Sequence, residues 1–173
     1  MSERILIVDD DEALRESLQL VLAAEGYEVV SAAHAEAALE QIASSPADVV
    51  LCDLRMPGMD GMELIPQIAR RLPGATVIMM SAFGTADLAI EAMKRGAYDY
   101  LAKPFQPSEL LLTIRKAKER ERLRRANALL QRDVDRAVGE RPIVAASPLM
   151  IEVLELLERA AEYKATVLLT GES

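Results

Sequence analysis

The chain has few of the residues that build disulfide frameworks and metal–thiolate centres. It contains one Cys and one His in 173 residues. A single Cys excludes an internal disulfide, and this pair gives no support to a zinc site of Cys and His ligands. Glycine and proline, at eight each, are too scarce for a low-complexity chain.

The sequence also lacks any apolar run long enough to span a membrane. Its N-terminus, MSERILIVDDDE, does not have the basic and then apolar pattern of a signal peptide. We therefore expect a cytoplasmic protein with no membrane partner. A hydrophobic fraction of 51% is too high for a disordered chain, and the length suits one compact domain plus a remainder.

Charge is unevenly distributed along the chain. The net charge of −8 combines −10 over residues 1–114, +5 over residues 115–141 and −3 over residues 142–173. The basic segment interleaves Arg and Lys with Glu119 and Glu121 and has no aromatic residue up to Arg125. This pattern favours a solvated helix face, and DNA binding by the segment remains an alternative.

Short β-branched runs alternate with amphipathic segments through the first 105 residues. The strand-like runs are 5–8, 28–30, 49–52, 76–80 and 98–101, and the helix-like segments are 12–25, 35–44, 63–71 and 85–95. Four of the five runs are almost wholly apolar, which is typical of central strands covered on both faces. The pattern predicts an α/β fold, a doubly wound five-stranded parallel sheet.

Polar residues follow four of these strands, at the sheet edge where ligands bind in such folds. They are Asp9, Asp10 and Asp11 after the first strand, Asp53 after the third, Ser81 after the fourth and Lys103 after the fifth. Crowded carboxylates favour a hard cation, and Mg²⁺ accepts one or two of them. We expect Asp10 and Asp53 to bind Mg²⁺ directly and Asp9 to bind it through water.

A carboxylate that lies beside Mg²⁺ and is open to solvent can act as a nucleophile toward phosphorus. Asp53 is the candidate, with Lys103 and Ser81 contacting phosphoryl oxygens. Each residue alone has a simpler explanation as a helix cap, a loop residue or a surface charge. Their occurrence at four strand ends of one predicted sheet favours a phosphoryl-transfer site.

Four stretches resemble the CheY-like receiver domain of two-component response regulators. They are residues 5–12 (ILIVDDDE), 52–61 (CDLRMPGMDG), 80–82 (MSA) and 98–105 (YDYLAKPF). The resemblance implies that Asp53 is the phosphoacceptor and that a histidine kinase is the partner. It also implies that Mg²⁺ is bound by Asp9, Asp10, Asp53 and the main-chain carbonyl of Arg55.

The same resemblance implies a conformational switch. Ser81 and Tyr100 occupy the family's two switch positions, Lys103 contacts the phosphoryl group, and the Lys103–Pro104 bond is expected to be cis. From its spacing alone, Tyr100 is equally a partly buried aromatic residue at the sheet edge.

Two other functions compete with this interpretation. A phosphohydrolase of the haloacid dehalogenase family would need a second Asp two residues after the nucleophile, where this chain has Arg55. A structural adaptor that is never phosphorylated would not need the strand-end set of acidic, hydroxyl and lysine side chains.

The region after the last strand predicts one long helix, because neither Gly nor Pro occurs from Ser108 to Val138. Its spacing suggests a short coiled-coil seam formed by Leu123, Asn127, Leu130 and Val134, with Asn127 at a position that fixes register. We expect a homodimer through this helix. The alternative is a single amphipathic helix that packs on a neighbouring domain.

The order of parts resembles NtrC-type activators, which carry a sigma-54-interacting AAA+ ATPase domain after the receiver. The stretches that carry this resemblance are 143–150 (IVAASPLM) and 165–173 (ATVLLTGES). Independently of the resemblance, the amphipathic pattern predicts a helix over 148–161, and the apolar run predicts a strand over 166–170. Gly171, Glu172 and Ser173 would begin a phosphate-binding loop, but the Gly-Lys-Ser/Thr it needs is absent.

We therefore expect a receiver at 1–116, a helical linker at 117–141 and the truncated start of an ATPase domain at 142–173. Such a piece would not hydrolyse ATP. The full-length protein is expected to contact sigma-54 RNA polymerase and DNA. This piece alone is expected to contact neither.

Overall fold

The computed structural model describes residues 3–82, 85–139, 147–162 and residue 168. Within that part, the strands are β1 (Arg4–Val8), β2 (Glu28–Ala32), β3 (Val49–Asp53), β4 (Thr76–Ser81) and β5 (Asp99–Ala102). The helices are α1 (Glu12–Ala24), α2 (Ala35–Ser44), α3 (Gly61–Arg71), α4 (Ala86–Arg95), α5 (Pro107–Gly139) and α6 (Pro148–Glu162).

The five strands form one parallel sheet in the order β2-β1-β3-β4-β5. The predicted α/β fold with a doubly wound five-stranded sheet is confirmed. The strand order reverses between β1 and β3, and this switch point is where open parallel sheets bind ligands.

The sheet separates two apolar layers, because alternate side chains of each strand point to opposite faces. One layer packs Leu6 and Val8 of β1 against α2, α3 and α4. The other packs Ile5 and Ile7 against α1 and the first part of α5. Both faces of the sheet are therefore covered, as the apolar strands predicted.

Helix α3 begins at Gly61, two residues before the predicted start. The cause is Asp60, whose Oδ1 accepts a hydrogen bond of 2.8 Å from the backbone N–H of Glu63. Pro66 lies inside this helix and has no N–H to give to the carbonyl of Met62. Arg95 of α4 donates its Nη1 to that oxygen instead, at 3.3 Å.

Helix α5 runs without a break from Pro107 to Gly139, as predicted. The chain divides into two compact units, residues 1–127 and 128–173. In the second unit, Ser147 caps α6 by accepting a bond of 3.3 Å from the N–H of Met150. Of the strand predicted over 166–170, the structure describes only Leu168, whose side chain is exposed. The phosphate-loop residues 171–173 lie outside the described residues. None of the helices in the described part is both long and apolar enough to cross a membrane.

Candidate functional site

Asp9 and Asp53 lie at the same edge of the sheet, on neighbouring strands. Asp53 is the last residue of β3, and Asp9 directly follows β1, in register with it through the Val8–Cys52 pair. By the alternation along each strand, both side chains lie on the face of the sheet that packs against α1 and α5. The two carboxylates therefore converge at the switch point.

Lys103 bridges the two carboxylates. Its Nζ donates to Asp9 Oδ2 at 2.6 Å and to Asp53 Oδ1 at 2.5 Å. The lysine follows β5, where its backbone N–H donates to the carbonyl of Ser81 at 2.7 Å, and its bond to Pro104 is cis, as expected. One ammonium thus pairs with two carboxylates from two different strands.

The three side chains differ in exposure. That of Lys103 is 19% exposed, that of Asp53 is 8% exposed and that of Asp9 is fully buried. Asp53 is therefore much less open to solvent than the nucleophile expected from the sequence. The cause is its position within β3, where the neighbouring strands and Lys103 enclose it.

Burial raises the pKa of Asp53, because the charged carboxylate loses hydration, and the opposing effect of the Lys103 hydrogen bond does not cancel this. Burial also acts against the charged form of Lys103. Its hydrogen bonds to Asp53 and Asp9 outweigh that effect, so the pKa of Lys103 is raised. The ammonium therefore stays charged at neutral pH.

Backbone N–H groups orient the carboxylates of Asp9 and Asp53, and a side-chain donor holds the main chain of Asp9. Oδ2 of Asp53 accepts from the N–H of Arg55 at 2.8 Å, and Oδ1 of Asp9 accepts from the N–H of Asp11 at 3.0 Å. Arg15 of α1 donates Nη1 to the carbonyl of Asp9 at 2.7 Å. The sequence pattern did not indicate a role for Arg15. Its partner is a backbone carbonyl, which every residue has, so no particular residue type marks the contact.

The acidic run after β1 divides its roles. Asp11 is the N-cap of α1, and its side chain accepts from the N–H of Leu14 at 3.1 Å. Asp9 is buried in the site, and Asp10 is exposed. Within the described ranges, no group of three His, Cys, Asp or Glu side chains is arranged to hold a metal ion.

Ser81 and Tyr100 lie on the same face of the sheet, opposite the face that Asp9 and Asp53 continue. Ser81 ends β4 and is 2% exposed. Tyr100 pairs with Met79, and Ser81 pairs with Ala102, so the two side chains stand on neighbouring strands. Tyr100 is half-buried against the layer that includes α3 and α4. Their switch roles remain predictions.

Comparison with known proteins identifies the family of this fold and site. Residues 5–115 match the family described as the response regulator receiver domain. The chain belongs to the response regulator receiver domain family. The match includes all five strands except the first residue of β1, together with the strand-end residues described above.

The receiver also has close relatives among curated regulators. The whole chain is 39% identical to the response regulator protein FleR of Pseudomonas aeruginosa, over all of this chain and 34% of that protein. It is 35% identical to the DNA-binding transcriptional regulator NtrC of Escherichia coli, over 98% of this chain and 35% of that protein. The predicted resemblance to NtrC-type regulators is confirmed. The chain spans about a third of the length of these relatives.

Solved structures agree with this placement. NtrX from Brucella abortus is 31% identical with a TM-score of 0.77, over 93% of this chain and 35% of that chain. A CheY-like receiver domain protein from Methanospirillum hungatei is 33% identical with a TM-score of 0.69, over 72% of this chain and 99% of that chain.

The donor set of the receiver fits a small hard cation. Two carboxylates from adjacent strands already share one cation, the Lys103 ammonium. Mg²⁺ keeps several waters and is bound in proteins by one or two carboxylates. The site therefore fits the ion without a third buried acid.

Cys52 is structural in this receiver. Its side chain is fully buried next to Asp53 in β3, and Sγ donates to the carbonyl of Asp53 at 3.2 Å. Burial raises the pKa of the thiol far above its usual value, and the neighbouring acids add to that shift. Because the reactive form is the thiolate, Cys52 is inert at neutral pH.

Proposed function

We propose that this receiver accepts a phosphoryl group on Asp53 from a histidine kinase, with Mg²⁺ bound, as the regulatory part of a sigma-54 activator. One observation carries the proposal: the carboxylates of Asp9 and Asp53 converge on a single cation at the carboxyl edge of the sheet. A receiver of this kind acts in the cytoplasm as a signalling module.

The proposed transfer is a displacement at phosphorus. An oxygen of Asp53 forms a P–O bond as the P–N bond to the kinase histidine breaks, and the freed imidazole takes up a proton. Asp9, Asp10, Asp53 and the carbonyl of Arg55 would hold Mg²⁺, which neutralises charge on the phosphoryl oxygens.

The protein's own residues orient the acceptor and the incoming group. The N–H of Arg55 fixes the rotation of the Asp53 carboxylate through Oδ2. Lys103, which already contacts Oδ1, provides a positive charge next to the atom that receives the phosphoryl group.

The proposed switch begins with the new charge at Asp53. A phosphoryl group adds negative charge and acceptor oxygens, and the Ser81 hydroxyl donates to one of them. Inward movement of Ser81 leaves space that the Tyr100 ring fills, because the two side chains stand on neighbouring strands of one face. Phosphorylation then shifts the population between two existing arrangements.

We test the acceptor by intact mass, with acetyl phosphate as donor, in Mg²⁺ and in EDTA. The parent is expected to gain one phosphoryl group in Mg²⁺ only, and Asp53→Ala is expected to gain none. Asp48→Ala is the matched control: Asp48 immediately precedes β3, at the opposite edge of the sheet, where it accepts from the N–H of Arg4. This variant should be phosphorylated like the parent.

Three results would count against the assignment. A mass gain that persists in Asp53→Ala would move the acceptor to another residue. A parent that takes up nothing in Mg²⁺ would support the adaptor alternative. Continuous turnover of a small phosphate ester would support the phosphohydrolase alternative, which Arg55 in place of an Asp argues against.

We further propose a homodimer through α5. Leu123 is 55% exposed and Leu130 is 65% exposed, on one continuous helix. Asn127 between them is exposed too, whereas the side chain of Val134 lies outside the described part. A stripe of leucines in water favours association with a second copy of the helix.

The double variant Leu123→Glu/Leu130→Glu is expected to be monomeric, because it places four carboxylates in the seam of each dimer. Leu20→Glu is the control, since Leu20 of α1 is 74% exposed and lies outside the seam. Multi-angle light scattering measures the mass of each. A monomeric parent, or a double variant that stays dimeric, would remove the proposed seam.

The remaining assignments concern the whole regulator. We propose a receiver at 1–116, a linker at 117–141 and the start of an AAA+ domain at 142–173. These parts together form a phosphoacceptor signalling module and not an enzyme. A full-length regulator of this kind would contact sigma-54 RNA polymerase and DNA. In this proposal the basic part of α5 does not bind DNA. Its Arg122, Arg124 and Arg125 already form ion pairs with Glu119 and Glu121 of the same helix.

A further inference from the structure

Gly61 ties the start of α3 to the peptide that follows the phosphoacceptor. Its N–H donates to the carbonyl of Leu54 at 2.9 Å, and the N–H of Leu54 donates to the carbonyl of Met80 in β4 at 2.8 Å. Gly61, the first residue of α3, is therefore hydrogen-bonded to Leu54, the residue with which the loop after Asp53 begins.

The contact is too close for any side chain at position 61. A Cβ there would lie 2.2 Å from the carbonyl oxygen of Asp53 and 2.7 Å from Cε of Met79. The methionine methyl ends a flexible side chain and can move. The Asp53 carbonyl is backbone inside the sheet, so a side chain at position 61 would displace the acceptor's own peptide.

We propose that Gly61 is a positioning residue for the reaction: its lack of a side chain lets α3 hold the Asp53–Arg55 segment in place. This inference rests on the proposed function. The segment supplies both the acceptor carboxylate and the carbonyl assigned to Mg²⁺, and the 2.8 Å bond from the Arg55 N–H to Asp53 Oδ2 links the two. Displacing the peptide therefore moves both groups together.

The size of the effect follows from the clash. Relieving it requires a shift of roughly 1 Å, a misplacement that can cost on the order of 100-fold in rate when it affects reacting groups. Gly61→Ala is expected to lower the maximal rate of phosphorylation by acetyl phosphate at least about 10-fold. The donor concentration at half-maximal rate should change little, and Mg²⁺ affinity, measured by calorimetry, should weaken.

Three further variants separate the backbone contact from other causes. Met79→Leu removes the Cε atom with little change in volume, so Gly61→Ala/Met79→Leu retains only the clash with the Asp53 carbonyl. This double variant should stay slow, whereas Met79→Leu alone should react like the parent. Leu22→Ala removes a buried side chain near the end of α1 and should lose stability but keep the maximal rate.

The inference is overturned if Gly61→Ala reacts at the parent's rate, if the double variant recovers that rate, or if Leu22→Ala slows equally. A parent that takes up no phosphoryl group rejects the proposed function instead, so the two failures are distinguishable. If Gly61→Ala does not fold, Asp60→Ala loosens the same helix start without adding atoms. That variant should slow phosphorylation, and a parental rate in it would equally overturn the inference.

Discussion

Lys103→Met is expected to lower the free energy of unfolding by about 3 kcal/mol when no divalent ion is present. The variant leaves the Asp9 and Asp53 carboxylates facing each other with no cation between them. Asp9 is fully buried and Asp53 nearly so, so neither regains full hydration. Removing one partner of a buried ionic group costs more than the group contributes when intact.

Mg²⁺ should restore much of that loss. An ion that binds only the folded state stabilises it by about 2.7 kcal/mol at a free concentration one hundred times its Kd. The variant should also bind Mg²⁺ more tightly than the parent, because the ammonium no longer competes for the same two carboxylates. The gain in stability on adding Mg²⁺ should therefore be larger in Lys103→Met than in the parent.

Urea unfolding in EDTA and in saturating Mg²⁺ measures both effects. Lys94→Met, in the exposed last turn of α4, is the matched control, and its stability should stay within about 0.5 kcal/mol of the parent. If Lys103→Met proves as stable as the parent in EDTA, the ammonium does not hold the site together. If Mg²⁺ stabilises both proteins equally, the ion does not share these carboxylates with Lys103.

Leu110→Ala is expected to destabilise the receiver by about 3 kcal/mol. Leu110 is fully buried in α5, in the layer that also includes α1 and one face of the sheet. Truncating it removes buried methyl groups and leaves a cavity between α5 and the strands. The substitution tests whether the first part of α5 belongs to the receiver core.

Leu112→Ala makes the same chemical change two residues along the same helix. Leu112 is 52% exposed, so its loss should change stability by less than about 0.5 kcal/mol. Urea unfolding followed by circular dichroism compares the two variants. Equal losses would mean that α5 packs on the sheet through a different face from the one described.

The strands could be predicted because burial on both faces makes a parallel strand almost wholly apolar. The run Val49–Cys52 shows this directly, and β3 extends it by one residue to Asp53. The boundaries of α3 were less accurate, because the cap by Asp60 begins the helix two residues before the apolar pattern does. Local side-chain hydrogen bonds of this kind decide where helices start.

The sequence predicted which strand ends carry the residues of the candidate site. It did not predict which of those residues contact one another. Asp9 and Asp53 were placed at one edge by the order of strands and helices alone. The single ammonium between them, the Arg15 bond to the Asp9 carbonyl and the enclosure of Asp53 depend on distances across the sheet. Lys103 is 94 positions from Asp9 and 50 positions from Asp53 in the sequence. Contacts between residues so far apart leave no mark on local periodicity.

The amino-acid sequence alone was enough to predict the fold class, the edge of the sheet that carries the acids and the long uninterrupted α5. These follow from apolar runs, polar strand ends and the absence of helix breakers, which are all local in the chain. Three contacts could be seen only in the folded chain: Lys103 bridges two carboxylates, Arg95 bonds the carbonyl left without a partner by Pro66, and Gly61 lies against the Asp53 peptide. Such contacts join distant segments, and they exist only once packing of the two apolar layers has fixed the distances between them.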